Sequence, residues 1–295
     1  MAASPSDFLQ SFWWTAQGEE LAAASTQPYA CLAISATDAE RVSAGQALFN
    51  TPALLGGQAA KAGLNCASCH VNGRNNPHFF VKGLSGHPGT ADVTTAFFSM
   101  ARANAVQDPV KIPDLTQPGK ISRALGDPAL ERFIRTLVVD EFSGKEPSAA
   151  TLSALAAYVR AIAPCPEDRL QKRSVGDQIT LIAAAVQGAQ DIQNRNDRAT
   201  LHLLVRAIRH QLGLIHERYN GSRLTQQRQA LLYSSRALEP LEDQDDLAQI
   251  TPALLDWHRN FEETLVPKLL PAERHSLYAT RHLGTALKRR STGGH

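Results

Sequence analysis

Several things are scarce in these 295 residues. No apolar run approaches the roughly 20 residues that a helix needs to span a bilayer, so no transmembrane segment is expected. Residues 1–7, Met1-Ala2-Ala3-Ser4-Pro5-Ser6-Asp7, hold no basic segment followed by an apolar stretch, so no secretory signal is expected in this chain. There is no phosphate-cradling glycine loop, no internal repeat, and no low-complexity tail beyond the last few residues. A net charge of +2 is spread without a dense basic patch, which argues against nucleic acid as a partner. Met1 and Met100 are the two methionines, and there are four cysteines. A hydrophobic content of 43% nevertheless supports a sizeable core.

What is present centres on Cys66-Ala67-Ser68-Cys69-His70. This is the C-x-x-C-H spacing of covalent haem attachment. Two thiols three positions apart can form thioether bonds to the two vinyl groups of one haem, and the adjacent imidazole then becomes the proximal iron ligand. A redox Cys-x-x-Cys would want a βαβ pattern around it, and a structural zinc would want two further ligands. Neither pattern is evident. One covalently attached haem c is therefore expected, bound by Cys66, Cys69 and His70. Because such attachment takes place outside the bacterial inner membrane, a periplasmic or otherwise extracytoplasmic location is expected, with a leader removed and Met1 added or the chain trimmed. Cys31 and Cys165 remain, and in an oxidising space they can form an intrachain disulfide across the haem region.

The expected fold class is all-α. Residues 1–36 read as an N-terminal extension, 37–166 as a small helical haem domain, and 167–295 as a four- or five-helix antiparallel bundle. Thr37-Asp38-Ala39-Glu40 offers a helix start with Thr37 as cap, followed by Val42, Gly45, Leu48 and Phe49 on a core face. Ser148 to Thr151 opens a second helix carrying Leu152, Leu155, Tyr158, Val159 and Ile162, which ends before Pro164. A further helix is expected from about Pro128 to Phe142, with Leu130, Phe133, Ile134, Leu137 and Val138 on one face. After Pro166 glycine and proline thin out, and helical periodicity covers 176–194, 197–219, 224–238, 252–266 and 272–289. Asp197, Ser222, Thr251 and Pro252 sit where helix starts prefer them, and Asn220-Gly221 marks an end. The acidic stretch Glu239 to Asp246 reads as a solvated connection. This C-terminal segment carries a mild excess of Lys and Arg, which favours an acidic protein partner or domain docking.

Gly45 with Phe49, and Leu155 with Tyr158, resemble the helix pair that crosses beside the haem edge in class I cytochromes c. More loosely, the region resembles the bacterial dihaem cytochrome c peroxidases. The pieces are Leu48-Phe49, the Cys66 to His70 motif, Gly73-Arg74-Asn75-Asn76-Pro77, Lys111-Ile112-Pro113-Asp114-Leu115 and Leu155-Ala156-Ala157-Tyr158-Val159. In that family a loop histidine can serve as distal ligand, which raises His87 as a candidate. The chain departs from the family in having no second Cys-x-x-Cys-His, so the two-haem relay is missing. Residues 167–295 lie outside the resemblance.

A low-spin electron carrier needs a sixth iron ligand. Met100, thirty residues past His70, is the leading candidate, although methionine is also an ordinary core filler. His87, in Gly83-Leu84-Ser85-Gly86-His87-Pro88-Gly89, is the alternative. His78 follows the proximal ligand too closely to travel easily around the haem, and an open or water-bound iron is the remaining option. In the bundle, His202, His210, His216, His258, His275 and His282 lack chelating spacing and Glu-x-x-His pairs, so they read as isolated imidazoles.

The chain therefore reads as a periplasmic mono-haem c-type cytochrome passing one electron at a time, more an electron-transfer protein than a catalyst. Its bundle would be a docking module, and its partner a redox protein such as a periplasmic dehydrogenase or oxidase. The alternative is a peroxidase-like haem enzyme or sensor with an open or labile sixth position, whose pocket would be lined by Phe79, Phe80, Phe97 or Phe98.

Overall fold

The computed structural model describes residues 9–94, 98, 101, 104, 106–166 and 169–292, with the side chains of 290–292 excepted. It is mostly helical, as expected, with two short antiparallel strand pairs. No helix among the described residues is long and apolar enough to cross a membrane.

From Leu9 on, the N-terminal extension is structured rather than loose. A 3₁₀ turn at Gln10–Trp14 leads to α1 (Glu20–Ser25) and β1 (Thr26–Pro28). α2 (Ala39–Phe49) begins one residue later than a Thr37 cap predicts, with Asp38 at the cap position. Thr37 lies in a preceding 3₁₀ turn, where the Ser35 hydroxyl donates to Asp38 Oδ2 at 2.7 Å, and no side chain accepts from the first amides of α2, so the expected Thr37 cap does not form. Val42, Gly45, Leu48 and Phe49 are buried as predicted, together with Ala44 and Ala47, so α2 is covered on two sides.

Short helices α3 (Gly57–Lys61) and α4 (Cys66–Cys69) precede the loop-rich region, where β2 (Thr90–Ala91) pairs with β3 (Val110–Lys111). α5 (Ala129–Thr136) runs into a π-type turn at Leu137–Glu141. Leu130 and Val138 are buried, but Phe133, expected on the core face, is 41% exposed. The covered stripe follows Leu130, Ile134 and Val138 at a spacing of four, which leaves Phe133 at its edge. α6 (Ala149–Ala161) is capped by the Ser148 hydroxyl, which accepts from the Thr151 amide at 3.1 Å, and it ends before Pro164.

β4 (Leu170–Lys172) pairs with β1 and ties the extension to the start of the C-terminal helices. α7 (Val175–Asn194) and α8 (Arg198–Arg218) match their predicted segments, and Asp197 caps α8 by accepting from the Thr200 amide at 2.8 Å. α9 (Thr225–Arg236) follows a 3₁₀ turn that begins at Ser222. α10 (Leu247–Asn260) starts at Asp246, whose carboxylate accepts from the Ala248 amide at 3.0 Å, and not at Thr251–Pro252. This cap lets the helix form ahead of Pro252, which is carried inside it.

The acidic segment before α10 is not merely solvated. Glu242 bridges Arg206 and Arg209 of α8, and Glu239 also meets Arg209 at 2.7 Å. α11 (Val266–Ala272) continues α10 through a second π-type turn, and α12 (Thr280–Thr292) closes the chain.

One buried cluster runs from Trp14 to Tyr278 and takes in residues from both predicted domains. Its centre is α2, held between α6 and α7. A Cβ on Gly45 would lie 2.0 Å from the Ala154 carbonyl oxygen, and a Cβ on Gly188 would lie 2.5 Å from the Ala44 backbone. Adjacent residues of α2 thus meet helices on opposite sides at backbone distance. A second small cluster joins Leu9 and Ala24 to Leu277, Leu283 and Ala286. Cys31 and Cys165 form the expected disulfide, with Cα atoms 5.4 Å apart and a sequence separation of 134.

Candidate functional site

The Cys66–His70 segment is fixed from three directions. Asn65 caps α4: its Oδ1 accepts from the Ser68 amide at 3.0 Å while Ser68 Oγ accepts from the Asn65 amide at 3.1 Å. The Asn65 side chain also donates to the Asn50 carbonyl at the end of α2, at 3.1 Å. From the other end, Asn76 donates from Nδ2 to the Ser68 carbonyl at 2.8 Å and from its amide to the Cys69 carbonyl at 2.9 Å. Asn72 and Gly73 turn the chain with φ of 51° and 79°. Gly73 also packs so closely on Ile162 that a Cβ would come within 2.8 Å of it.

His70 is oriented by a residue that the sequence reading left without a role. Its Nδ1 lies 3.0 Å from the carbonyl oxygen of Pro113. Burial holds the imidazole well below its ordinary range, down to about 4, with the Pro113 carbonyl opposing that shift. The ring is therefore neutral at pH 7. A neutral imidazole facing a carbonyl must carry its proton on Nδ1, which leaves Nε2 with a lone pair.

The Pro113 carbonyl is itself braced. Arg74 Nε donates to Asp114 Oδ2 at 2.6 Å, and Asp114 Oδ1 accepts from the amide and hydroxyl of Thr116 at 2.9 and 2.7 Å. The Leu115 amide donates to the Gly73 carbonyl at 2.9 Å. The segments 73–77 and 111–115 are thus brought together around His70.

Apolar neighbours complete the surround. The Phe49 ring lies 6.4 Å from the His70 ring and 5.1 Å from the Tyr158 ring, at the crossing of α2 and α6. Burial pushes the Cys66 and Cys69 thiols up to about 12. They are protonated at neutral pH, the opposite of the activated thiolate of a disulfide oxidoreductase. Among the described residues no group of three or more His, Cys, Asp or Glu is placed to hold a metal ion. The donor set that the segment offers is two neutral thiols one helical turn apart and one imidazole nitrogen of fixed tautomer, which fits a covalently held haem.

The other candidates are placed less tightly. Met100 and Phe97 lie outside the described residues. His87 is on an exposed loop, with its Nδ1 2.9 Å from the Pro88 carbonyl. His78 is engaged by Glu19 of the N-terminal extension, Nδ1 to Oε2 at 2.5 Å. Phe79 is locked into the core where residues 15–16 pair with 78–79, and Phe98 packs on Phe142 with ring centroids 5.1 Å apart. In the C-terminal helices, His202 meets the Gln244 carbonyl at 3.1 Å, and burial lowers His210 to about 4.

Sequence reasoning missed Pro113 and Asp114 as functional residues. The only signal available was their place in a short resemblance. Comparison with protein-family models, curated proteins and solved structures finds no match to this chain.

Proposed function

We propose that the chain is a c-type cytochrome that carries one electron at a time on a single haem c, joined covalently to Cys66 and Cys69 with His70 as proximal ligand. The observation that carries this reading is the His70–Pro113 pairing, which presents Nε2 of a neutral imidazole beside two protonated thiols. The haem, when bound, supplies an iron that alternates between two oxidation states. The chain supplies the rest. Cys66 and Cys69 fix the ring's position, Pro113 sets the orientation and basicity of the imidazole, and Phe49 with Tyr158 excludes water on the side of the helix crossing.

The Cys31–Cys165 disulfide supports a periplasmic or otherwise extracytoplasmic site, where such bonds persist. The natural partner of a carrier of this kind is another redox protein, such as a periplasmic dehydrogenase or oxidase, approached through a weak transient surface. The C-terminal helices would serve as its docking module.

The decisive experiment is expression with a haem-attachment system, followed by denaturing electrophoresis stained for haem and by visible spectroscopy. Retention of one haem in the denatured chain, lost in Cys66→Ala/Cys69→Ala, is expected. A far-red band in the oxidised spectrum would assign Met100 as distal ligand, and a low-spin spectrum without it would assign His87 or His78. A high-spin spectrum that shifts with peroxide or carbon monoxide would replace the carrier reading with the peroxidase-like enzyme or sensor. A chain that retains no haem would remove both.

A further inference from the structure

Behind the Cys66–His70 segment lies a cavity of about 350 Å³. Its walls come from the N-terminal extension, α2, the far side of the Cys66–Asn76 segment, and one face each of α7 and α8. The exposed residues Tyr29, Ala30 and Thr180 belong to its wall, so it reaches solvent beside β1. The volume falls in the range of small-molecule sites and is far more than a single buried water needs.

The lining is chemically unusual. Ten of the lining side chains are carboxamides, each of which both donates and accepts. Gln46 makes no side-chain hydrogen bond among the described residues, and Asn50 uses only its Nδ2, on the Gln46 carbonyl. Gln211 is almost wholly buried in the wall, and its carbonyl oxygen has no partner.

The charged groups balance. Arg173 and Arg218 face the cavity together with Asp177 and Glu217. The two guanidiniums hold the extension through backbone carbonyls: Arg173 donates to those of Ala23 and Thr26, and Arg218 to that of Ala24. Arg173 also donates to Gln27 Oε1 at 2.8 Å, and neither arginine makes an ion pair among the described residues. Donors on both therefore remain for a ligand. Two cations share the wall with two carboxyls, of which burial raises Glu217 to about 7, and His210 is neutral, so near pH 7 the charges come close to balance and neither sign dominates. Many paired donors and acceptors with little net charge are the complement of clustered hydroxyl groups.

We propose that this cavity binds an uncharged polyhydroxylated molecule, a mono- or disaccharide or a polyol, against the carboxamides of α2 and α8 and the guanidiniums of Arg173 and Arg218. The inference is independent of the haem reading, because none of its contacts involves Cys66, Cys69 or His70.

The test is saturation-transfer NMR and calorimetry on the full-length protein with its Cys31–Cys165 disulfide intact, with D-glucose, sucrose and glycerol as probes and citrate as the anionic comparison. Transfer to at least one of the three hydroxylated probes is expected, weakened at least tenfold by Gln46→Leu, which removes a polar end that nothing in the fold uses. Gln211→Met serves as a second variant from the opposite wall, and thermal unfolding checks that both fold. The proposal is overturned by the absence of transfer to all three probes, which would leave a water-filled cavity. It is equally overturned by binding of citrate alone, or by sugar binding that neither variant alters.

Discussion

His70 Nδ1 and the carbonyl oxygen of Pro113 lie 3.0 Å apart across 43 residues of sequence. The contact rests on Asp114, because that carboxylate joins Arg74 on one side of His70 to Thr116 on the other. Burial works against ionisation of Asp114, but hydrogen bonds from Thr116 and Arg74 outweigh it and hold the group below the usual carboxylate range. A carboxyl depressed in the folded state stabilises above its unfolded pKa and loses that contribution as pH falls. Asp114→Ala should therefore cost about 2 kcal/mol at pH 7 and less near pH 3, measured by urea unfolding. Pro113→Ala keeps the carbonyl and should cost less than Asp114→Ala. An Asp114→Ala protein as stable as the parent at pH 7 would show that the brace does not hold the loop.

The glycines of the helices should divide sharply. At Gly45 any Cβ meets the Ala154 carbonyl, and backbone cannot step aside as a side-chain end can. Gly45→Ala should destabilise by roughly 3 kcal/mol or more, since overpacking there separates α2 from α6. Gly213, in the exposed middle of α8, has nothing within 4 Å of its missing Cβ. Gly213→Ala should stabilise by about 0.5–1 kcal/mol through helix propensity alone. Thermal melts of the two proteins, compared with the parent, decide the point.

Removing the disulfide should be costly because the bond spans 134 residues of sequence. Cys31→Ser/Cys165→Ser should lose about 2–5 kcal/mol. The parent treated with a reductant under native conditions should approach the same unfolding midpoint. An unchanged midpoint in the double variant would mean that β1–β4 pairing and the helix contacts already hold the extension.

Much of this arrangement was legible in the sequence because it is local. The Cys66 to His70 spacing, the Ser148 and Asp197 caps, and the helical periodicity of α6, α7 and α8 are each contained within one element. What could not be read depends on distant partners. Pro113 orients His70 only because Arg74 and Asp114 meet in space. Residues 1–36 read only as an N-terminal extension, yet β1 pairs with β4 and Leu9 shares a buried cluster with Leu283. The acidic segment at 239–246 looked solvated because its cations, Arg206 and Arg209, lie on another helix. Pro252 looked like a helix start because the competing signal, Asp246, sat inside a charge run. The close seat of Gly188 on Ala44 carries no sequence signature, since a glycine inside a helix can equally face solvent, as Gly213 does.

The pH dependence of stability offers a test centred on Glu217. Burial raises this carboxyl to about 7, against the opposing hydrogen bond from the Gln10 amide and the charge of Arg218. Its folded pKa lies above the unfolded value, so the folded state holds the proton more tightly, and stability falls as pH rises from about 4.5 to about 7. His210 acts with the opposite sign, since burial lowers it to about 4 and stability is lost as pH drops below its ordinary range. Comparing Glu217→Gln with the parent cancels the histidine and isolates the carboxyl. The gap between variant and parent should be about a quarter open near pH 5 and reach on the order of 2 kcal/mol at pH 8, allowing for partial solvent screening. Urea unfolding at pH 5, 6, 7 and 8 measures the gap directly. A gap that stays constant across the series would mean that Glu217 ionises with an ordinary pKa, and that the wall between the extension and α8 is wetter than its packing indicates.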